Sequence, residues 1–203
     1  MVAEGASVGI DYSYEIVAPR KAVIRLVESL ASHLVPDDAD RLLSAVRKAP
    51  ERLMAVARRG QYETHDLCLS FLFAPDDRIA EHGGNDRLSD PVSGRVAIGC
   101  VWSSLRCGDR FALFRGTAAT SGMSHLFESS PNIRAAFTKI GQDAGAWLVA
   151  FDDEQDDLLG VWPHARRMGE GVVDELVRDC EYELRVDEYC DAVLRAFGVS
   201  AGG

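Results

Sequence analysis

Hydroxyl side chains and a histidine crowd the stretch Gly116-Thr117-Ala118-Ala119-Thr120-Ser121-Gly122-Met123-Ser124-His125. Small and hydroxyl-bearing residues that lead from a strand into a helix present free backbone N–H groups. The helix dipole adds positive potential, so such a junction can hold an anion. Thr117, Thr120, Ser121, Ser124 and His125 are therefore the candidate ligand-binding residues. No Gly-Lys-Ser/Thr follows the two glycines and no GxGxxG occurs, so neither the P-loop nor the dinucleotide fingerprint is present. The plainer reading of the same residues is a strand-to-helix connection capped by Ser or Thr.

Two nucleophile–base pairs are available on paper, Ser121 or Ser124 with His125, and Cys68 with His65. A nucleophile needs a base within hydrogen-bond reach and a third group to orient that base. Sequence neighbours seldom supply that geometry, and no GxSxG elbow is present. No catalytic residue is assigned. His65, Cys68, His82, Cys100 and Cys107 come nearest to a metal-ligand set, but CxxC, HxxxH and HExxH are all missing. Structural zinc sites draw on such short-spaced pairs. The acidic run from Asp152 to Asp157 lacks the Gly and Glu of a calcium loop and has Pro163 at the twelfth place. The reading is therefore no metal and no cofactor.

Charge is distributed unevenly. Residues 151–203 carry 14 Asp/Glu against 5 Arg, a net of −9, while residues 1–150 are at −1. One-sided charge of this sign repels phosphate backbones and attracts basic partners. Basic clusters are limited to Arg58-Arg59 and Arg166-Arg167, so nucleic-acid binding is not expected. A basic protein is the partner class that fits. Asp152, Asp153, Asp156 and Asp157, with Asp179, Glu181 and Glu183 further on, are the candidate contacts. The same acids equally fit a solvated hairpin turn and connector. No apolar run is long enough to span a bilayer, and Met1 to Gly9 lack the features of a secretory signal, so a cytoplasmic location without membrane contact is expected. The five cysteines are irregularly spaced and odd in number, which reads as small buried residues rather than a disulfide framework.

The elements that must position these residues follow from periodicity. Ile10, Tyr12, Tyr14 and Ile16 alternate with Asp11, Ser13 and Glu15, the pattern of a half-buried strand. Pro19 opens a helix carrying Val23, Leu26, Val27, Leu30 and Leu34. Asp37 or Asp38 caps a second helix through Leu42, Leu43 and Val46, and Pro50 starts a third that Gly60 ends. Leu67, Leu69, Phe71 and Phe73 form a strand that Pro75 stops. Residues 82–94 read as a mobile loop. Residues 95–118 read as an antiparallel hairpin turning at Cys107-Gly108-Asp109. Met123 to Phe127 form one helical turn. Ser130 caps a helix with Pro131 at its first position, Ile133, Phe137, Ile140 and Ala144 on its buried side, and Gly145 at its close. Trp147, Val149 and Phe151 pair with Leu158 to Trp162. A last helix buries Val186, Tyr189, Cys190, Val193, Leu194 and Phe197. Trp102, Trp147 and Trp162 fall on strands and read as core.

The class is α+β, one domain over residues 1–203 with flexible ends at 1–8 and 199–203. Its sheet is mostly antiparallel and built from hairpins, with helices packed on it. The run Phe114 to Phe127 followed by Ser130-Pro131-Asn132-Ile133-Arg134, with the opening strand and helix from Asp11 to Leu34, resembles uncharacterised bacterial proteins of similar length. That resemblance implies a bacterial, single-domain protein and transfers no site. The functional expectation is a non-catalytic binding protein with an acidic C-terminal surface, of the kind that neutralises another protein. The alternative is an enzyme with a small-molecule site at the 116–125 junction.

Overall fold

The computed structural model of the protein describes residues 11–48, 67–82, 93–153, 158–167 and 186–201. The seven described strands are β1 (Ser13–Pro19), β2 (Leu67–Phe73), β3 (Val96–Cys107), β4 (Phe111–Ala118), β5 (Leu148–Asp152), β6 (Leu158–Trp162) and β7 (Arg166–Arg167). They form one sheet in the order β2-β3-β4-β1-β5-β6-β7, with every neighbouring pair antiparallel. The described helices are α1 (Val23–Ala31), α2 (Pro36–Lys48), α3 (Asp77–Glu81), α4 (Ser121–Ser129), α5 (Pro131–Ala144) and α6 (Val186–Ala196). The α+β class and the helix-covered antiparallel sheet are as the sequence predicts.

The helices divide between the two faces. Tyr14, Ile16 and Ala18 of β1 join Leu26 and Leu30 of α1, Phe127 of α4 and Phe137 and Ile140 of α5 in the larger core. Aromatic rings fill its middle: Phe137 stacks on Tyr14 at 4.5 Å between centroids and meets Phe71 at 5.5 Å and Phe127 at 5.9 Å. Such contacts add to the burial of the rings themselves. On the opposite face, Val17, Leu113, Leu148 and Ala150 pack against Tyr189, Cys190, Val193 and Leu194 of α6.

This second cover corrects the reading of β1 as half-buried. β1 is the central strand, and every residue from Ser13 to Pro19 is buried. α6 comes from the far end of the chain, so local alternation gives no sign of it. Three other boundaries move. Pro19 ends β1 with φ −61° and ψ 140°, and a short 3₁₀ turn (Arg20–Ala22) precedes α1. α1 stops at Ala31, and Leu34 instead bridges to Phe71. Asp37 and Asp38 lie inside the first turn of α2, behind Pro36, rather than capping it. Asp38 is used all the same: its Oδ2 accepts from the Ser70 N–H at 2.7 Å and ties the helix to β2. α4 is a full helix of 9 residues, not one turn. The short α3 follows Pro75 unforeseen. Its N-terminus is capped by Asp76, which accepts from the Ile79 N–H.

The 96–118 hairpin and the β5–β6 pair match expectation. So do the Ser130 cap on α5, its Pro131 and the left-handed Gly145 at φ 70° that closes it. The helix expected after Pro50 and most of the 82–94 loop lie outside the described residues, as do the flexible ends except Val199 to Ala201.

Candidate functional site

The 116–125 junction folds as a capped helix start. Thr120 takes extended backbone angles, and its Oγ1 accepts from the Met123 N–H at 3.2 Å, satisfying one of the free donors at the start of α4. Ser124 is fully buried. Its hydroxyl accepts from the Tyr12 N–H and donates to the Thr120 carbonyl, both at 3.3 Å. Ser121 and His125 are exposed. The His125 ring stands 3.9 Å from Glu128 and edge-on to Tyr12. Thr117 lies one strand away, half-buried on β4. The structure therefore spends Thr120 and Ser124 on holding the backbone and turns His125 towards Glu128, so the two serines and the histidine do not converge as a nucleophile–base pair.

Of the acidic candidates, Asp152 ends β5 and Asp153 follows it, both half-buried. Asp156, Asp157, Asp179, Glu181 and Glu183 lie outside the described residues, as does His65. Among the described residues no three His, Cys, Asp or Glu side chains group as metal ligands. His82 and Cys100 are exposed and Cys107 is half-buried. Burial pushes the Cys107 thiol up to about 11. The expectation of small buried cysteines holds for Cys190 alone among the described four.

The polar chemistry gathers instead on the α6 face of the sheet. Register places Cys68 opposite Trp102, Trp102 opposite Thr117, Thr117 opposite Ser13, and Ser13 opposite Asp152, one row across five strands. Next to it runs Ser104, Arg115, Glu15 and Ala150. In that second row Glu15 is wholly buried. Its Oε1 accepts from Arg115 Nε at 2.8 Å and Nη2 at 2.5 Å, and its Oε2 accepts from the Tyr189 hydroxyl at 2.6 Å. The adjacent Glu15 charge, above all, raises the Arg115 guanidinium and keeps it ionised. Burial first, and then the Glu15 charge, holds the Tyr189 phenol well above its ordinary value, so it stays a neutral donor. Both oxygens of Glu15 are engaged, so the carboxylate joins β1, β4 and α6.

Trp102 overturns the expectation that all three tryptophans are core. Its side chain is 54% exposed, while Trp147 packs edge-on against Phe111 and Trp162 against the larger core. α6 covers Val17, Leu113 and Leu148 and leaves Trp102, further out on the same face, exposed. Arg106, four residues further along β3 on the same face, has a buried Nε with no hydrogen-bond partner among the described residues. An apolar cavity of about 80 Å³ lies on the other face, between α1, α2 and β2 to β4, lined by Leu30, Leu42, Val46, Leu69, Leu105 and Phe114. It has room for a small apolar group, and none of the described residues that line it is titratable.

Glu15 escaped sequence reading because a single acid in an alternating strand reads as solvent-facing. Its partners are 100 and 174 residues away. No described helix is long and apolar enough to cross a membrane. The chain matches no protein-family model, no curated protein and no solved structure.

Proposed function

We propose that the protein is a non-catalytic binding protein whose partner is a basic protein, acting in a neutralising or escorting role. The observation that carries this reading is the exposed Trp102 in one cross-strand row with Asp152. An open indole face attracts a guanidinium or ammonium through its π-electrons, and a carboxylate pairs with a second such group. Three strand spacings of about 4.8 Å separate the two positions, so they would read basic groups roughly 14 Å apart. The net −9 of residues 151–203 supports the same reading, because complementary charge speeds encounter with a basic surface. The described cysteines are free thiols, which suits the reducing bacterial cytoplasm as the place of action.

Capture from lysate at low salt, followed by titration of the captured protein, tests this. An arginine-rich peptide and an acidic peptide serve as defined probes. Trp102→Ala is expected to weaken binding about tenfold, the loss of a typical interface anchor. Asp152→Asn with Asp153→Asn should slow association and flatten its salt dependence. Tighter binding of the acidic peptide, or a captured partner indifferent to all three substitutions, would sink the reading.

A further inference from the structure

Cys68 and Cys100 lie on β2 and β3, and β2 is the edge strand of the described sheet. Cys68 pairs with Trp102, so Cys100 is its diagonal neighbour. Diagonal positions in a regular ladder stand roughly 7–8 Å apart. Here the register shifts between Leu69 and Phe71, so that Gly99 and Cys100 together face Ser70. Cys100 adopts the left-handed φ of 59°, a conformation that costs a residue with a β-carbon roughly 1 kcal/mol. This bulge brings the two sulfurs to 3.2 Å. A disulfide needs about 2.05 Å, so the sulfurs need close by only about 1.1 Å. Cys100 is exposed and open to a reagent, whereas Cys190 is fully buried and Cys107 half-buried.

We infer that Cys68 and Cys100 are a reversible dithiol–disulfide couple, oxidised by a low-molecular-weight disulfide such as oxidised glutathione. The exposed Cys100 thiolate attacks one glutathione sulfur, forming a mixed disulfide and breaking the glutathione S–S bond. The departing glutathione thiolate takes up a proton equivalent to the one Cys100 lost. The Cys68 thiolate then attacks the Cys100 sulfur and releases the second glutathione, again with transfer of one proton equivalent. The protein dithiol loses two electrons and two protons, and one oxidised glutathione becomes two reduced molecules. The bulge assists the second step by proximity, because the resolving sulfur already stands in contact with the first, while burial and the neighbouring Cys100 raise the Cys68 thiol and make the step faster at higher pH. This inference does not rest on the basic-partner reading, although the bond would form directly beside Trp102.

The test uses the reduced full chain, incubated with oxidised glutathione, alkylated and mapped by mass spectrometry. The expected product is a monomer lighter by two hydrogens, with a Cys68–Cys100 crosslinked peptide that dithiothreitol removes. Cys68→Ser should instead trap a glutathione adduct on Cys100. Three outcomes overturn the inference: alkylation of both thiols in the treated wild type, a lasting glutathione adduct on wild-type Cys100, or a link that joins either residue to another cysteine.

Discussion

Glu15 and Arg115 face each other directly across β1 and β4, with Nε of Arg115 2.8 Å from Oε1 of a fully buried carboxylate. Breaking such a pair by removing one partner leaves a buried charge uncompensated. Glu15→Ala should therefore destabilise the fold by about 3–4 kcal/mol. Glu15→Gln should cost less, because its amide oxygen still accepts from Tyr189. Replacing all three members with apolar residues of similar shape, as in Glu15→Leu with Arg115→Met and Tyr189→Phe, should recover much of the loss. Urea unfolding measures each variant. A loss under about 1 kcal/mol for Glu15→Ala would show that the pair contributes little.

The carboxylate of Asp187, at the start of α6, fastens the β3–β4 turn. It accepts from the backbone N–H of Asp109 at 2.7 Å and of Arg110 and Phe111 at 3.1 Å. A β-carbon on Gly108 would collide with that carboxylate. Arg20 donates to the Gly108 carbonyl, and Arg110 pairs with Asp191, one turn further along α6. Asp187→Ala should cost about 2–3 kcal/mol by stranding these donors. Gly108→Ala should also destabilise, and the double variant should lose less than the two losses combined, by at least about 0.5 kcal/mol. Strict additivity in urea denaturation would contradict the contact.

How much was legible in the chain follows from where each partner lies. Ser130, Pro131 and Gly145 delimit α5 through contacts within one or two turns, so their types suffice to place them. Glycine at 108 marks the hairpin turn from sequence, but the reason it is glycine is a carboxylate 79 residues later. Asp187 lies in the first turn of α6, where the helix dipole favours an acid. Its engagement with the hairpin was not legible, since tertiary contacts of this kind have no local signature. The same limit hid the burial of Glu15 and the closeness of Cys68 to Cys100, which depends on a one-residue slip in register. In the 116–125 stretch the capping reading was legible and matches the backbone bonds of Thr120 and Ser124.

Asp76 joins two helix starts. Its Oδ1 accepts from the Ile79 N–H at 2.8 Å, and its Oδ2 from the Ser130 hydroxyl at 2.6 Å and the Asn132 N–H at 3.2 Å. Desolvation pushes its carboxyl up, but the hydrogen bonds from Ser130, Ile79 and Asn132 together outweigh it and hold the group below its ordinary value. Asp76→Ala should cost about 1–2 kcal/mol, the loss of a cap and its partner bond. Ser130→Ala should cost a similar amount, with strong coupling between the two. The depressed carboxyl adds stability that is present above its unfolded value near 3.9 and lost as the pH falls below it. Asp76→Asn should therefore show a shallower acid limb in thermal melts, and an unchanged limb would exclude the role.

At the alkaline end, buried phenols and thiols set the limit. Burial pushes Tyr14 up to about 12, with its hydroxyl donating to the Phe127 carbonyl at 3.0 Å. Burial likewise raises Tyr189 and Cys190 well above their ordinary values. In each case the fold keeps a proton that the unfolded chain releases, near pH 10 for tyrosine and near 8.5 for cysteine. More protons are then bound in the folded state, so stability must fall as the pH rises through those values. Urea midpoints should hold to about pH 8.5, decline above it, and steepen beyond pH 10 by about 1.4 kcal/mol per unit for each tyrosine held neutral. Tyr14→Phe keeps the ring that stacks on Phe137 and removes one titrating group. Its stability should start lower at neutral pH and fall less steeply above pH 10 than the wild type. Parallel declines in the two proteins would mean that Tyr14 titrates in the folded state, contrary to its burial.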